Sequence, residues 1–292
     1  MNPPSISLAA NWLMLLPYMF TGLVPFGVGT LLAGACGLPL HPGVFLAGLA
    51  AAAALILAAA ASRGAFPPGA GLGLDQGWLD PRRARLLARG LVVLAALVVA
   101  VLQFSGQSGD WTIPLGGLGI LGGYFFFAPP IRWHQRGLGE AVGALGFGLL
   151  PVTAGFYLQT GHLVTEILLY GLPLSFGAFN LFLVQGFPPP GESEGERFTL
   201  AERLGPVAGA LVYTLANILT MVGLGFCLFF PAAPLPSRNW LWPLLLLAVV
   251  NQELVKRRVY LKEEWLRLLC GLTLGLHLGM GLTFALGLWL RL

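Results

Sequence analysis

The sequence predicts an all-α, polytopic membrane protein: nine transmembrane helices in a single bundle spanning residues 1–292. Three observations predict it. Hydrophobic residues make up 57% of the chain and charged residues only 10%, where soluble domains carry about 25% charged residues. The apolar residues recur in long runs near the ~20 residues a helix needs to cross the hydrocarbon core. The charges collect on alternate loops. A mean hydropathy of +0.80 excludes both an ordinary soluble domain and a disordered chain, because too little polar surface remains to solvate either.

The runs lie at 10–35, 42–61, 86–104, 112–128, 139–158, 164–186, 206–230, 239–254 and 268–290. The first follows a stretch, Met1 to Leu8, without Lys or Arg. A signal peptide needs a basic start, so this run is expected to be a retained helix. The fourth and eighth runs are short. Pro114, Pro151, Pro173 and Pro243 sit in or near spans, where neighbouring helices satisfy the carbonyls that proline frees. Gly119 and Gly123 in the fourth run, and Gly271, Gly275 and Gly279 in the ninth, form small-residue stripes suited to close packing inside the bundle. His277 lies in the middle of the last run and is expected to hydrogen-bond across the bundle.

Fourteen of the 16 basic residues fall on even-numbered loops; only Arg238 and Arg291 lie on the other face. The positive-inside rule therefore puts the N-terminus in the cytoplasm and the C-terminus opposite, in a membrane of the bacterial inner-membrane kind. Trp111, Trp240, Trp242 and Trp289 fall near the uncharged face, where interfacial anchors belong. The net charge of +4 comes without a dense basic patch interleaved with aromatics, which argues against a nucleic-acid partner. The bilayer is the expected partner, together with other membrane-protein subunits. Cys36, Cys227 and Cys270 have no metal-like spacing and are expected to serve as small hydrophobes.

Two long cytoplasmic loops, 62–85 and 187–205, open with similar phrases: Phe66-Pro67-Pro68-Gly69 and Phe187-Pro188-Pro189-Pro190-Gly191. Proline and glycine stop a helix abruptly, and the repeated punctuation hints at internal duplication. The second loop continues through Gly195-Glu196-Arg197-Phe198-Thr199-Leu200-Ala201-Glu202-Arg203-Leu204-Gly205. Earlier stand Tyr124-Phe125-Phe126-Phe127-Ala128-Pro129-Pro130-Ile131-Arg132 and Gly137-Leu138-Gly139-Glu140. With these phrases and nine spans, nearly the whole chain resembles the UbiA superfamily of intramembrane aromatic prenyltransferases, its menaquinone branch in particular.

The resemblance implies a bundle around a lipid-open cavity. It also implies a polyprenyl diphosphate held through Mg2+ by Asp-rich motifs in the two long loops. The chain departs from that pattern. Its aspartates are Asp75, Asp80 and Asp110. The stretch 62–72, where Asn-x-x-x-Asp-x-x-x-Asp is expected, has no carboxylate, and prolines follow Gln185 where the second motif belongs. A Tyr of the family is replaced by Phe126 and a Lys by His134.

Arg132, Arg136, Gln185, Lys256 and Arg257 remain as candidate contacts for a diphosphate or lipid headgroup. Asp75, Asp80, Glu192, Glu194 and Glu196 are the carboxylates from which a relocated Mg2+ site would be built, though all five also suit solvated loops. Two functions follow. The first is a non-catalytic homologue without a cofactor, binding a quinone, carotenoid or other lipid, or acting as a scaffold in a membrane complex. The second is a prenyltransferase working through the relocated acidic site with Mg2+. The scarcity of charge inside the spans counts against a channel or transporter.

Overall fold

The computed structural model describes residues 8–66, 80–106, 108–187, 198–229 and 238–292, with side chains from residue 16 onward. These residues form ten α-helices and short 3-10 turns, and there is no strand among them. The helices are α1 (Leu8–Ala35), α2 (Pro42–Ala65), α3 (Pro81–Phe104), α4 (Thr112–Gly123), α5 (Gly139–Gly146), α6 (Leu149–Thr160), α7 (Glu166–Gln185), α8 (Leu200–Phe229), α9 (Leu241–Lys256) and α10 (Glu263–Trp289).

Among the described residues, seven segments are long and apolar enough to cross a membrane: Leu16–Ala35, Pro42–Ala65, Pro81–Phe104, Gly139–Thr160, Glu166–Gln185, Leu200–Phe229 and Glu263–Trp289. The fourth and eighth expected spans are shorter. Thr112–Phe126 is an apolar helical segment ended by a 3-10 turn. At 1.5 Å per residue, the 16 residues of α9 reach about 24 Å, less than the ~30 Å hydrocarbon core.

The fifth expected span is two helices, α5 and α6. At the break the Leu149 N–H donates to Ser175 Oγ of α7 at 2.8 Å, so a group freed from the helix ladder is not left bare in an apolar interior. Helix α8 is also interrupted, immediately ahead of the expected seventh span at 206–230. Gly205 has φ 76° and ψ 170°, and Pro206 follows, so Leu200–Leu204 form a separate turn ahead of the long rod. That turn carries a capping box. Glu202 Oε2 accepts from the Phe198 and Thr199 N–H groups at 2.8 Å each, and the Glu202 N–H donates to Thr199 Oγ1 at 3.1 Å.

Close crossings hold the bundle together. α1 and α6 meet at Gly29 and Gly155. A side chain on Gly29 would strike the Val152 carbonyl, and one on Gly155 the Phe26 carbonyl. Glycine is required there because the backbones themselves touch. The buried core joins Val28 of α1, Phe156 of α6, Leu174 of α7, Leu224 of α8, and Met280 and Phe284 of α10. A second cluster links Leu183, Phe187, Tyr213, Tyr260 and Leu269. Outward-facing Leu94, Leu97, Val101, Leu211 and Leu215 are exposed, as suits residues that meet lipid.

The glycine stripes divide. Gly119 and Gly123 pack on Leu55, and Gly279 on Leu244, but Gly271 and Gly275 have no neighbour within 4 Å. These last two do not pack inside the bundle, because their face of α10 points outward. Cys227 is buried as expected, whereas Cys36 is exposed, since α1 has ended before it. His277 is 1% exposed, and its Nε2 lies 3.2 Å from the Thr21 carbonyl of α1, which is the expected cross-bundle bond.

Candidate functional site

Helices α1 to α7 enclose a cavity of about 520 Å³, within the ~300–1,000 Å³ range of small-molecule sites. Most of its wall is Ala, Gly, Leu and Val. The end near the charged loops differs. Tyr18 of α1, Arg63 of α2, Phe126 and Phe127 after α4, Phe147 after α5, and Phe182 and Gln185 of α7 gather there.

The aromatic rings at this end touch one another. Phe126 lies 4.8 Å from Phe127 and 5.8 Å from Phe182, and Phe147 lies 5.3 Å from Phe182, centroid to centroid. The Arg63 guanidinium sits 5.9 Å from the Phe127 ring centre, a cation–π arrangement. Gln185 Nε2 donates to the Tyr18 hydroxyl at 3.0 Å. His134 packs behind Phe126 and Phe127, at 5.9 and 5.4 Å. Burial, and then the positive charge of Arg63, hold the His134 imidazole below its ordinary pKa, with Glu202 pulling the other way.

The loop carrying His134 is pinned from the second half of the chain. Arg203 donates to the Gln135 carbonyl at 2.9 Å and lies over Gly137. Glu140, 3% exposed, accepts the Leu200 N–H at 2.8 Å. The Thr-Leu-Ala-x-Arg phrase thus closes the roof beside the cavity.

Of the sequence-derived candidates, Gln185 lines the cavity. Arg132 and Arg136 do not. Arg132 reaches Gln135 at 3.3 Å, and Arg136 donates to the Ile131 carbonyl at 2.6 Å. Arg257 pairs with Glu253 on an exposed face of α9 at 2.9 Å, beside Lys256. Asp80 caps α3 by accepting the Arg82 N–H at 3.2 Å. Asp75, Glu192, Glu194 and Glu196 lie outside the described residues. Among the described residues no carboxylate lines the cavity, and no three His, Cys, Asp or Glu side chains come together as metal ligands. The described donor set therefore does not fit Mg2+, which needs hard oxygens.

Sequence reasoning missed Arg63 and Tyr18. In the sequence Arg63 reads as a loop charge within a stretch that holds no carboxylate. Tyr18 carried no signal beyond being a polar aromatic inside an apolar run.

Comparison with known proteins fits this geometry. A model of the UbiA prenyltransferase family matches residues 72–265. The chain belongs to that family. It is 31% identical over 157 residues to a 2-carboxy-1,4-naphthoquinone phytyltransferase of Synechocystis sp., covering 49% of this chain and 49% of that protein. The chain thus spans about half the length of that curated relative. A UbiA homolog from Aeropyrum pernix K1 shares the fold with a TM-score of 0.68 at 15% identity, over 91% of this chain and 96% of that one. A UbiA homolog from Archaeoglobus fulgidus bound to GPP and Mg2+ gives 0.60 at 15% identity, over 96% and 99%.

Proposed function

We propose that this UbiA-family protein is a non-catalytic intramembrane lipid-binding subunit, holding a quinone, carotenoid or related isoprenoid in its cavity within a membrane complex. The observation that carries this reading is the cavity itself. It is apolar along most of its wall, aromatic at one end, and without a carboxylate among its described lining residues. A departing diphosphate needs its charge neutralised, and cationic side chains are a poor substitute for Mg2+ there. In this reading the whole chain is one unit of nine spans, with its N-terminus and the arginine-rich loops on the cytoplasmic side of a bacterial inner membrane.

A second reading has one observation in its favour. Helices α2 and α7, which carry Arg63 and Gln185, run directly into the two long loops. Asp75 and Asp80 on one loop, with Glu192, Glu194 and Glu196 on the other, would then form a relocated Mg2+ site for transfer of a polyprenyl group to an aromatic acceptor.

Gentle purification, native mass spectrometry and extraction of bound small molecules separate the two. The first reading expects a stoichiometric isoprenoid lipid, a defined assembly, and no transfer activity. Mg2+-dependent prenyl transfer that is lost in Glu194→Gln would overturn it in favour of the second.

A further inference from the structure

We propose that the protein carries a second ligand site, at the end of the bundle away from the arginine-rich loops, and that it takes the adjacent hydroxyls of a neutral polyol, as on a sugar-headed lipid. The site is separate from the central cavity and stands independently of the lipid-binding reading above.

The turn after α1, the turn between α3 and α4, and the end of α6 enclose a pocket of about 430 Å³, with Leu38, His41, Ser108, Gly109, Gln159 and Gly161 in its wall. Close contacts hold its shape. Gly109 sits so tightly against α6 that a side chain there would strike the Tyr157 hydroxyl and the Gly161 carbonyl. The same hydroxyl accepts the Trp111 N–H at 2.9 Å. Ser108 Oγ donates to the Leu102 carbonyl at 2.8 Å, and Thr112 Oγ1 lies 2.9 Å from Ser108 Oγ and 2.8 Å from the Gly109 carbonyl. Thr112 lines the central cavity, so this hydrogen-bonded turn stands between the two spaces.

A buried group in the pocket wall lacks a partner. Gln159 is 5% exposed. Its Oε1 accepts the His41 N–H at 2.7 Å, which sets the orientation of the amide and leaves Nε2 with no hydrogen-bond partner. A buried amide that has given up water without replacement is costly, and such groups are met by a bound molecule or ordered water. One water, at ~30 Å³, fills little of this pocket.

The chemistry of the wall selects the ligand. The two N–H groups on Gln159 Nε2 require acceptor oxygens. The His41 imidazole, exposed at the start of α2, makes no capping bond, and an imidazole can present both a donor and an acceptor. A hydroxyl accepts and donates, so adjacent hydroxyls complement the pair. Neither the described lining residues nor position 107 between them is Lys or Arg. Asp110, exposed, follows Gly109 directly. Both features disfavour an anion and leave a neutral polyol.

The test uses the full-length protein in a polyoxyethylene detergent, which has no hydroxylated ring, with binding read by native mass spectrometry and calorimetry. The probes are a dioctanoylglycerol with a glucosyl head, its phosphocholine counterpart with the same chains, and methyl glucoside. The glucosyl lipid is expected to bind one per chain, and the phosphocholine lipid not to bind. Competition by methyl glucoside would assign recognition to the sugar alone; binding without such competition would make the membrane lipid the ligand. Gln159→Glu keeps the acceptor for the His41 N–H and removes the Nε2 donor. His41→Leu keeps that N–H and removes the ring, and it carries the test alone should Gln159→Glu not fold. Each is expected to weaken the glucosyl lipid about 3- to 10-fold, with the unfolding midpoint of His41→Leu unchanged. If the two lipids bind alike, if neither binds, or if the folded variants bind as the wild type does, the polyol site is refuted and water alone completes Gln159.

Discussion

Glu140 and His134 sit a few residues apart and respond to opposite demands. Glu140 is buried and holds the Leu200 N–H, so removing its carboxylate takes the acceptor from a half-buried donor. Such a loss costs about 1–3 kcal/mol. Glu140→Ala is expected to lower the unfolding midpoint in detergent clearly, and Glu140→Gln, which keeps an acceptor, to lower it less. His134 has a depressed pKa in the folded state. The unfolded chain therefore takes up a proton near pH ~6.5 that the folded chain refuses until lower pH. Stability is complete above that value and declines as pH falls through the window below it. The groups facing the imidazole are Arg63 and Glu202, with Arg132 and Arg136 on its own loop. Midpoints measured from pH 7.5 to 5.5 should fall less in His134→Gln than in the wild type, and equal slopes would exclude this origin. Glu140 was visible in the sequence within the Gly137-Leu138-Gly139-Glu140 phrase. Its partner was not, because Leu200 lies 60 residues away and only the fold brings the two together.

At the scale of elements, the apolar runs located the helices, but not the break inside the fifth run. The break between α5 and α6 depends on Ser175 of another helix, which a local pattern cannot encode. The kink at Gly205 was written in the sequence as Gly-Pro, yet its backbone angles come from the fold. Its φ and ψ lie in a region open essentially to glycine alone. No atom lies within 4 Å of a Cβ placed there, so the penalty for Gly205→Ala is conformational, about 1–3 kcal/mol. It should register as a shifted denaturation midpoint with ligand affinity per folded molecule unchanged. Gly146 offers the converse test. It lines the cavity, and a side chain there meets nothing within 4 Å. Gly146→Leu is expected to leave the fold intact and occupy ligand space, reducing the lipid recovered per protein several-fold. Unchanged recovery would mean that the ligand sits elsewhere.

Across the whole molecule the two halves differ in what they bury. The cavity is walled by α1 to α6 and by Phe182 and Gln185 of α7. The second half buries polar side chains that bond to neighbouring side chains and backbone. Tyr213 pairs with Thr273 at 2.8 Å, and Asn217 donates to the Ala248 carbonyl at 2.9 Å. Asn180, oriented to satisfy both neighbours, bridges the Tyr213 carbonyl and the Asn217 N–H. The family and its fold were readable because the loop phrases survive intact, and the structure shows why: Thr199, Glu202 and Arg203 each hold a cap or a loop. The ligand end was less readable, since its residues come from three separate helices, α1, α2 and α7, and from the segments that follow α4 and α5. Orientation can be checked with a native probe. Cys36 is exposed, whereas Cys227 is buried and Cys270 half-buried. A membrane-impermeant maleimide should label the wild type from the non-cytoplasmic side and fail on Cys36→Ser; labelling from the cytoplasmic side alone would reverse the topology.

The hydrogen bond between Gln185 and Tyr18 joins residues 167 positions apart, and the Glu140 anchor is met by the start of α8, at Leu200. A chain made from its N-terminus folds its earlier segments first. The greasy trough formed by α1 to α6 therefore stands open to the bilayer while α7 is still being synthesised. In the proposed lipid-binding reading, the occupant enters from surrounding lipid during biogenesis, and α7, which brings Phe182 and Gln185 to the wall, completes the compartment around it.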